Sequence, residues 1–246
     1  MNRTKEVPGR IVCKNVTSGY RKKTILKDVS LTFLPGKTTV ILGENGSGKT
    51  TLLKTMAGLL PYNGSITIDG AEIKDLSYKQ RAARISLLSQ MNSMYFSYTV
   101  RQTVLLARYR FHKGFFVQET EEDRKAAAQA MEKFDIYDIR EERTSELSGG
   151  QLQRVYLAQL FAQDADCLFL DEPTNHLDMR YRVLLEREIR ETDKTVIAVY
   201  HDLRDAVKVA DELVLIKNGC VLEAGPQEQI LRSENLNVTF DMDVVL

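Results

Sequence analysis

The chain has 246 residues, 43% hydrophobic and 28% charged, with 34 lysines and arginines against 34 aspartates and glutamates. That length allows one large core or two modest ones, and the composition is ordinary for a soluble globular protein. A formal net charge of zero gives no bulk electrostatic case for nucleic acid or an anionic membrane surface, and the longest apolar run, the five residues Val196 to Tyr200, is far short of a membrane span.

Met1 to Pro8 lacks the apolar segment of a secretory signal. Cys13, Cys167 and Cys220 are odd in number and far apart, and read as reduced, partly buried thiols of a cytosolic protein. Arg10 to Thr17 and Val29 to Phe33 are strand-like. The β-branched run Thr38 to Leu42 reads as a buried strand. It leads into Gly43-Glu44-Asn45-Gly46-Ser47-Gly48-Lys49-Thr50, which matches the phosphate-binding pattern G-x-x-x-x-G-K-[ST]. Thr51 to Ala57 then reads as a helix.

A strand, loop and helix in this order gather backbone N–H groups and a helix N-terminus around an anion. Glycines let such a loop curl tightly and approach phosphates closely. The expected ligand is a nucleoside triphosphate, with Lys49 reaching the β- and γ-phosphates and Thr50 holding Mg²⁺. Gly43, Asn45, Gly46, Ser47, Gly48 and Thr51 complete the expected phosphate cradle. Gly64 to Asp69 alternates apolar and polar residues before a turn at Gly70, and with the first two strands suggests a small antiparallel sheet beside the nucleotide-binding core.

From about Gln90 to Ser148 helical periodicity replaces the strand signal. Thr120-Glu121-Glu122-Asp123 opens a helix with an acidic first turn, and Ala127, Ala130, Met131 and Phe134 share one face. Residues 95–116 hold Tyr95, Phe96, Tyr98, Tyr109, Phe111, Phe115 and Phe116, together with Arg101, Arg108, Arg110 and Lys113 and no acid. They read partly as the core of a helical subdomain and partly as a groove for a helix of a membrane partner.

Leu147-Ser148-Gly149-Gly150-Gln151 contains a capping box, Ser148 with Gln151, flanked by Leu147 and Leu152 as a hydrophobic staple. A capping box needs no glycines, and each costs roughly 0.5–1 kcal/mol relative to alanine, so the bare backbone suggests a ligand approaching closely. Leu152, Val155, Tyr156 and Leu160 are expected to carry the helix's apolar face. Three apolar strands each end in a functional group: Val40 to Leu42 in Gly43, Cys167 to Leu170 in Asp171, and Val196 to Tyr200 in His201. That is the behaviour of a parallel α/β sheet, whose ligands sit outside its carboxyl edge. Leu213 to Ile216 reads as a further strand, turning at Asn218-Gly219.

With Leu147 to Gln151 and the phosphate loop in place, the chain resembles the ATP-binding-cassette (ABC) ATPase family over nearly its whole length. The resemblance implies an α/β P-loop NTPase core with a mainly parallel sheet, a small N-terminal antiparallel β-subdomain and an inserted α-helical subdomain. The nucleotide-binding core with its β-subdomain is expected over 1–90 and 152–246, and the helical subdomain with the signature over 91–151. Tyr20 matches the aromatic that stacks on adenine. Gln90 matches the glutamine that contacts Mg²⁺ and the attacking water. Asp171 matches the aspartate that orders the metal, Glu172 the general base, and His201 the switch histidine. Asn175-His176-Leu177-Asp178 corresponds to the loop that crosses to the second subunit.

The family mechanism implies a head-to-tail dimer, in which Ser148, Gly149, Gly150 and Gln151 of one copy close over ATP on the loop of the other. The segment Thr99 to His112, the run Glu172 to Asp178 and the ending Phe240 to Val244 most resemble importers of iron–siderophore, haem or cobalamin complexes. Ala107 departs from the usual glycine of that branch, and Arg110-Phe111 from a common proline. The implied partners are polytopic membrane permease subunits and, indirectly, an extracellular substrate-binding protein, with the chain peripheral at the cytoplasmic face of the cell membrane. No nucleic acid is expected. Two alternatives remain at this stage: another transporter's ATPase, and a cassette of a soluble assembly such as iron–sulfur cluster assembly or a ribosome-associated factor.

Overall fold

The computed structural model describes residues 7–21, 23–89, 98–111 and 119–240. The chain begins with β1 (Ile11–Tyr20), β2 (Lys23–Phe33), β3 (Thr38–Leu42), α1 (Lys49–Met56), β4 (Tyr62–Ile68) and the short β5 (Ala71–Glu72). Next come α2 (Tyr78–Arg84), β6 (Ile85–Leu88), α3 (Val100–Leu106), a 3-10 stretch over Ala107–Phe111 and α4 (Glu121–Lys133). The remainder runs α5 (Gly149–Ala162), β7 (Cys167–Asp171), α6 (Met179–Glu191) and β8 (Thr195–Val199), then α7 (Leu203–Ala206), β9 (Glu212–Lys217), β10 (Cys220–Pro226), α8 (Gln227–Ile230) and α9 (Glu234–Phe240).

Two sheets result. The larger has the order β10-β9-β3-β8-β7-β6, parallel throughout except for β10 at its edge. The smaller has the order β2-β1-β4-β5 and is antiparallel. In the larger sheet, alternate residues point to opposite faces. Val40, Leu42, Leu168, Leu170, Val196 and Ala198 pack with the helical side of the molecule, whereas Ile41, Phe169, Ile197 and Val199 face α1 and the smaller sheet. Strands buried on both faces explain the continuous apolar runs in the sequence. Leu52, Leu53 and Met56 of α1 fill the space between the sheets.

Several elements exceed their sequence-based bounds. The strand expected at Arg10 to Thr17 continues through Tyr20, and the one expected at Val29 to Phe33 starts at Lys23. Irregular register and left-handed backbone at Asn15 and Asp28 break the polar–apolar alternation that a sequence reading depends on. The helix expected from Thr120 forms α4, capped by a reciprocal Thr120–Asp123 box, and Ala127, Ala130, Met131 and Phe134 are all buried. On α5, Val155 and Leu160 are buried, Leu152 and Tyr156 are half-buried, and the unexpected Gln153 is buried as well. α5 runs without interruption across residues 151 and 152.

The basic residues near 101–110 serve the fold. Arg108 donates to Asp123 Oδ1 (3.1 Å) and to the Ala162 carbonyl (2.9 Å). Arg110 donates to the carbonyls of Gln163 (2.8 Å) and Asp164 (2.6 Å). The two guanidinium groups thus satisfy the C-terminal carbonyls of α5, where a helix dipole favours positive charge. Arg101 pairs with Glu119 and Glu141. Of the described aromatics in that stretch, Tyr109 and Phe111 are exposed, with Leu106 beside them, and Tyr98 is half-buried. Tyr95, Phe96, Lys113, Phe115 and Phe116 lie outside the described residues, as does the end of the chain from Asp241.

Candidate active site

The strand order β3-β8-β7 sets three loop positions side by side at one sheet edge: the phosphate loop after β3, Tyr200-His201 after β8, and Asp171-Glu172 at the end of β7. Gly48 is the N-cap of α1 with φ at 110°, a conformation that glycine adopts without strain, and no side chain caps the helix. The first N–H groups of α1 therefore point outward without an intrahelical partner. Gly43 is required for a different reason: a Cβ there would sit 2.2 Å from the Ile216 carbonyl oxygen and 2.7 Å from Ser47 Oγ. The hairpin turn Asn218-Gly219 braces the loop from behind, where Gly219 N–H donates to Ser47 O at 2.9 Å and Lys27 N–H donates to Gly219 O at 2.9 Å.

Lys49 is buried, and its Nζ donates to the carbonyls of Gly43 (2.7 Å) and Glu44 (2.8 Å). Burial lowers its pKa, while Glu172, Asp171 and Glu44 oppose that shift by favouring the ammonium. Thr50 Oγ1 donates to Asp171 Oδ1 at 3.0 Å. Burial pushes the Asp171 carboxyl above its ordinary value, the Thr50 hydrogen bond opposing, with the Glu172 charge adding to the rise. Asp171 Oδ2 and Ser47 Oγ are buried without a hydrogen-bond partner. A buried, unsatisfied carboxylate oxygen beside a hydroxyl is a hard-oxygen position that suits Mg²⁺. Among the described residues no group of three or more His, Cys, Asp or Glu side chains could hold a metal.

Glu172 follows β7 in the left-handed region at φ 51°, where its N–H donates to Val199 O at 3.1 Å. A non-glycine residue in that region costs on the order of 1–3 kcal/mol and is held there by its surroundings. Its Oε1 meets His201 Nε2, and its Oε2 accepts from Asn175 Nδ2 at 2.7 Å.

A cleft of about 350 Å³ lies over the loop, lined by Lys23, Ile25, Asn45, Gly46, Gly48, Lys49, Thr50, Thr51 and Glu172. Tyr20 is exposed at the end of β1, paired with Lys23, and is not among the residues that line the cleft. The sequence reading does not single out Lys23 or Ile25, and it takes Asn175 only as part of the loop that crosses to a second copy, not as a partner of Glu172. Lys23 and Ile25 gain their place from cross-strand register, and Asn175 from a turn whose shape appears only in three dimensions.

The structure does not bring Ser148, Gly149, Gly150 or Gln151 into the cleft. Ser148 caps α5 as expected, its Oγ accepting from Gln151 N–H (3.3 Å) and its own N–H donating to Gln151 Oε1 (2.9 Å). The bare backbone expected to admit a ligand has an internal reason as well. A Cβ at Gly150 would lie 2.9 Å from the His176 carbonyl oxygen, and one at Gly149 would touch the His176 ring at 3.7 Å. Asp178 caps α6, accepting from Tyr181 N–H at 3.2 Å. Gln90 lies outside the described residues.

The ABC transporter family model matches residues 26–175. The petrobactin import ATP-binding protein YclP of Bacillus subtilis (strain 168) is 37% identical over 236 residues, covering 94% of this chain and 92% of the relative. The ferric enterobactin transport ATP-binding protein FepC of Escherichia coli (strain K12) is 34% identical over 234 residues, covering 93% and 86%. A solved ATP-binding subunit of an ABC transporter superimposes with a TM-score of 0.81 at 22% identity, over 94% of each chain, and supports the fold.

Proposed function

This chain belongs to the ABC transporter family, and from that premise we propose that it is the ATP-hydrolysing subunit of an importer, energising uptake of an iron–siderophore, haem or cobalamin-type substrate through separate membrane permease subunits. The observation that carries the chemistry is the convergence of Lys49, Thr50, Asp171, Glu172 and His201 on one sheet edge beside a cleft at the uncapped N-terminus of α1. The relatives' names, petrobactin import and ferric enterobactin transport, carry the substrate class.

In this reading the loop from Gly43 to Thr51 wraps the triphosphate, with Asn45, Gly46, Ser47 and Gly48 presenting backbone N–H groups and Lys49 its ammonium. Tyr20 stacks on the adenine. Thr50 and Asp171 are the groups that fit Mg²⁺, which when bound neutralises charge on the β- and γ-phosphates. The family pattern adds Gln90 to that shell. Glu172 accepts the proton of the attacking water, and His201, touching the same carboxylate, orients it. Catalysis of this kind is mainly positioning and charge stabilisation, which a clamped carboxylate supplies.

Because Ser148 to Gln151 lie outside the cleft of their own chain, the reading places them over the ATP of a second copy in a two-fold, head-to-tail dimer, with Asp178 in the segment that crosses between copies. The division into a nucleotide-binding core (1–90 and 152–246) and a helical subdomain (91–151) belongs to the same reading. No helix among the described residues is long and apolar enough to cross a membrane, which is compatible with a peripheral position at the cytoplasmic face beside permease subunits. The test is capture of tagged Glu172→Gln protein with Mg-ATP from mildly solubilised source membranes. A co-purifying polytopic permease, with or without a substrate-binding protein, supports the importer reading; recovery of only ribosomal or soluble assembly proteins overturns it.

A further inference from the structure

We infer that Asn175 is a positioning residue for the hydrolytic carboxylate, a role that rests on the reading of Glu172 as the general base. Both oxygens of Glu172 are engaged: Oε1 by His201 Nε2, and Oε2 by Asn175 Nδ2 at 2.7 Å. A carboxylate only accepts hydrogen bonds, so the asparagine must present its NH₂ to it. Backbone geometry sets the reach. Glu172 is left-handed at φ 51°, and Asn175 N–H donates to Glu172 O at 3.2 Å, closing a turn that lays the asparagine amide against the glutamate head. Without that bond the carboxylate keeps the His201 contact but loses the second point that fixes its plane.

Asn175 also lies between two contacts that α5 makes with its turn. The next residue, His176, is left-handed at φ 63°, and its carbonyl oxygen packs against Gly150 at the first turn of α5. Gln153 Nε2 of the same helix donates to Pro173 O at 3.0 Å, so α5 grips the Glu172–His176 turn on both sides of Asn175. Lys49 on α1 and Asp171 on β7 carry charges that couple to Glu172, and the His201 imidazole after β8 touches its Oε1. Asn175 adds an uncharged donor, and it is exposed, so replacing it removes no core packing.

The experiment compares kcat, KM and nucleotide affinity for the full-length chain and for Asn175→Ala, Asn175→Asp, Asn175→Gln and Glu172→Gln. Loss of one orienting contact in a positioned reaction is expected to lower kcat about 10- to 100-fold. Asn175→Ala should show that loss with KM and nucleotide affinity within about twofold of the parent and an unchanged melting temperature. Asn175→Asp, of equal size but without the NH₂, should fall at least as far, and Asn175→Gln, which keeps the amide, should recover part of the rate. Parental kcat in both Asn175→Ala and Asn175→Asp, or equal losses of kcat and nucleotide affinity, overturns the inference. If Glu172→Gln turns over normally, the base assignment fails and the inference with it; an inactive Glu172→Gln beside an unimpaired Asn175→Ala removes the inference alone.

Discussion

Gly219 and Gly70 form a matched pair for testing how the phosphate loop is braced. Both occupy the second position of a two-residue hairpin turn at φ 81°, after Asn218 and Asp69 respectively, each of which is also left-handed. Alanine at either place carries the same backbone penalty, about 1 kcal/mol. Around Gly70 a Cβ meets nothing within 4 Å, but at Gly219 it would lie 1.7 Å from the Ile25 carbonyl oxygen and 2.8 Å from its carbon. The 218–219 turn must then move, giving up the bonds from Gly219 N–H to Ser47 O and from Lys27 N–H to Gly219 O. At about 1 kcal/mol each, their loss brings the total for Gly219→Ala to about 3 kcal/mol. In a chain of this size the melting temperature should fall by about 6–12 °C for Gly219→Ala and by about 2–4 °C for Gly70→Ala. The displaced turn is also the support of Ser47 in the nucleotide loop, so ATP affinity should weaken about tenfold in Gly219→Ala and stay unchanged in Gly70→Ala. Thermal melts and titration with a fluorescent ATP analogue read both effects. Equal melting temperatures and equal affinities for the two variants would refute the bracing argument.

The buried Arg108–Asp123 pair, both side chains under 7% exposed, predicts that Asp123→Ala destabilises by about 3–5 kcal/mol in denaturant titration, with Arg108→Met combined with Asp123→Leu recovering the part due to the unpaired guanidinium but not the lost Thr120 cap. A single variant as stable as the parent would show that Arg108 finds another partner. Burial pushes the Cys13 thiol up to about 12 and the Cys167 thiol higher still, so both should resist maleimide in the folded chain while the half-buried Cys220 labels. Mass spectrometry before and after unfolding should count one adduct, then three; rapid labelling of Cys13 or Cys167 would place them outside the core.

The parts of the site that were legible in the sequence are those whose chemistry is local. Gly43 to Thr50 needs its residue types at fixed spacing, and the apolar runs ending at Leu42, Leu170 and Tyr200 announce strands buried on both faces. The Thr120 and Ser148 caps are legible because a capping box closes within four residues. What the sequence hides depends on pairing across distance. Nothing in the order Arg108, Tyr109, Arg110 tells which group turns inward, because Asp123 and the α5 carbonyls that decide it arrive from elsewhere in the chain. Gly150 reads as an opening for a ligand until His176 is seen against it. β2 is obscured by the left-handed Asp28, and α6 by a polar surface around its buried Leu185 and Ile189.

The most direct test of the central claim measures phosphate release and particle mass for the purified chain and for Glu172→Gln, each with Mg-ATP. The account predicts steady release by the parent, and in Glu172→Gln unimpaired ATP binding, release reduced by a factor on the order of 1000, and a doubling of mass as the closed dimer accumulates. Near-parental release by Glu172→Gln would contradict the assignment of the hydrolytic base.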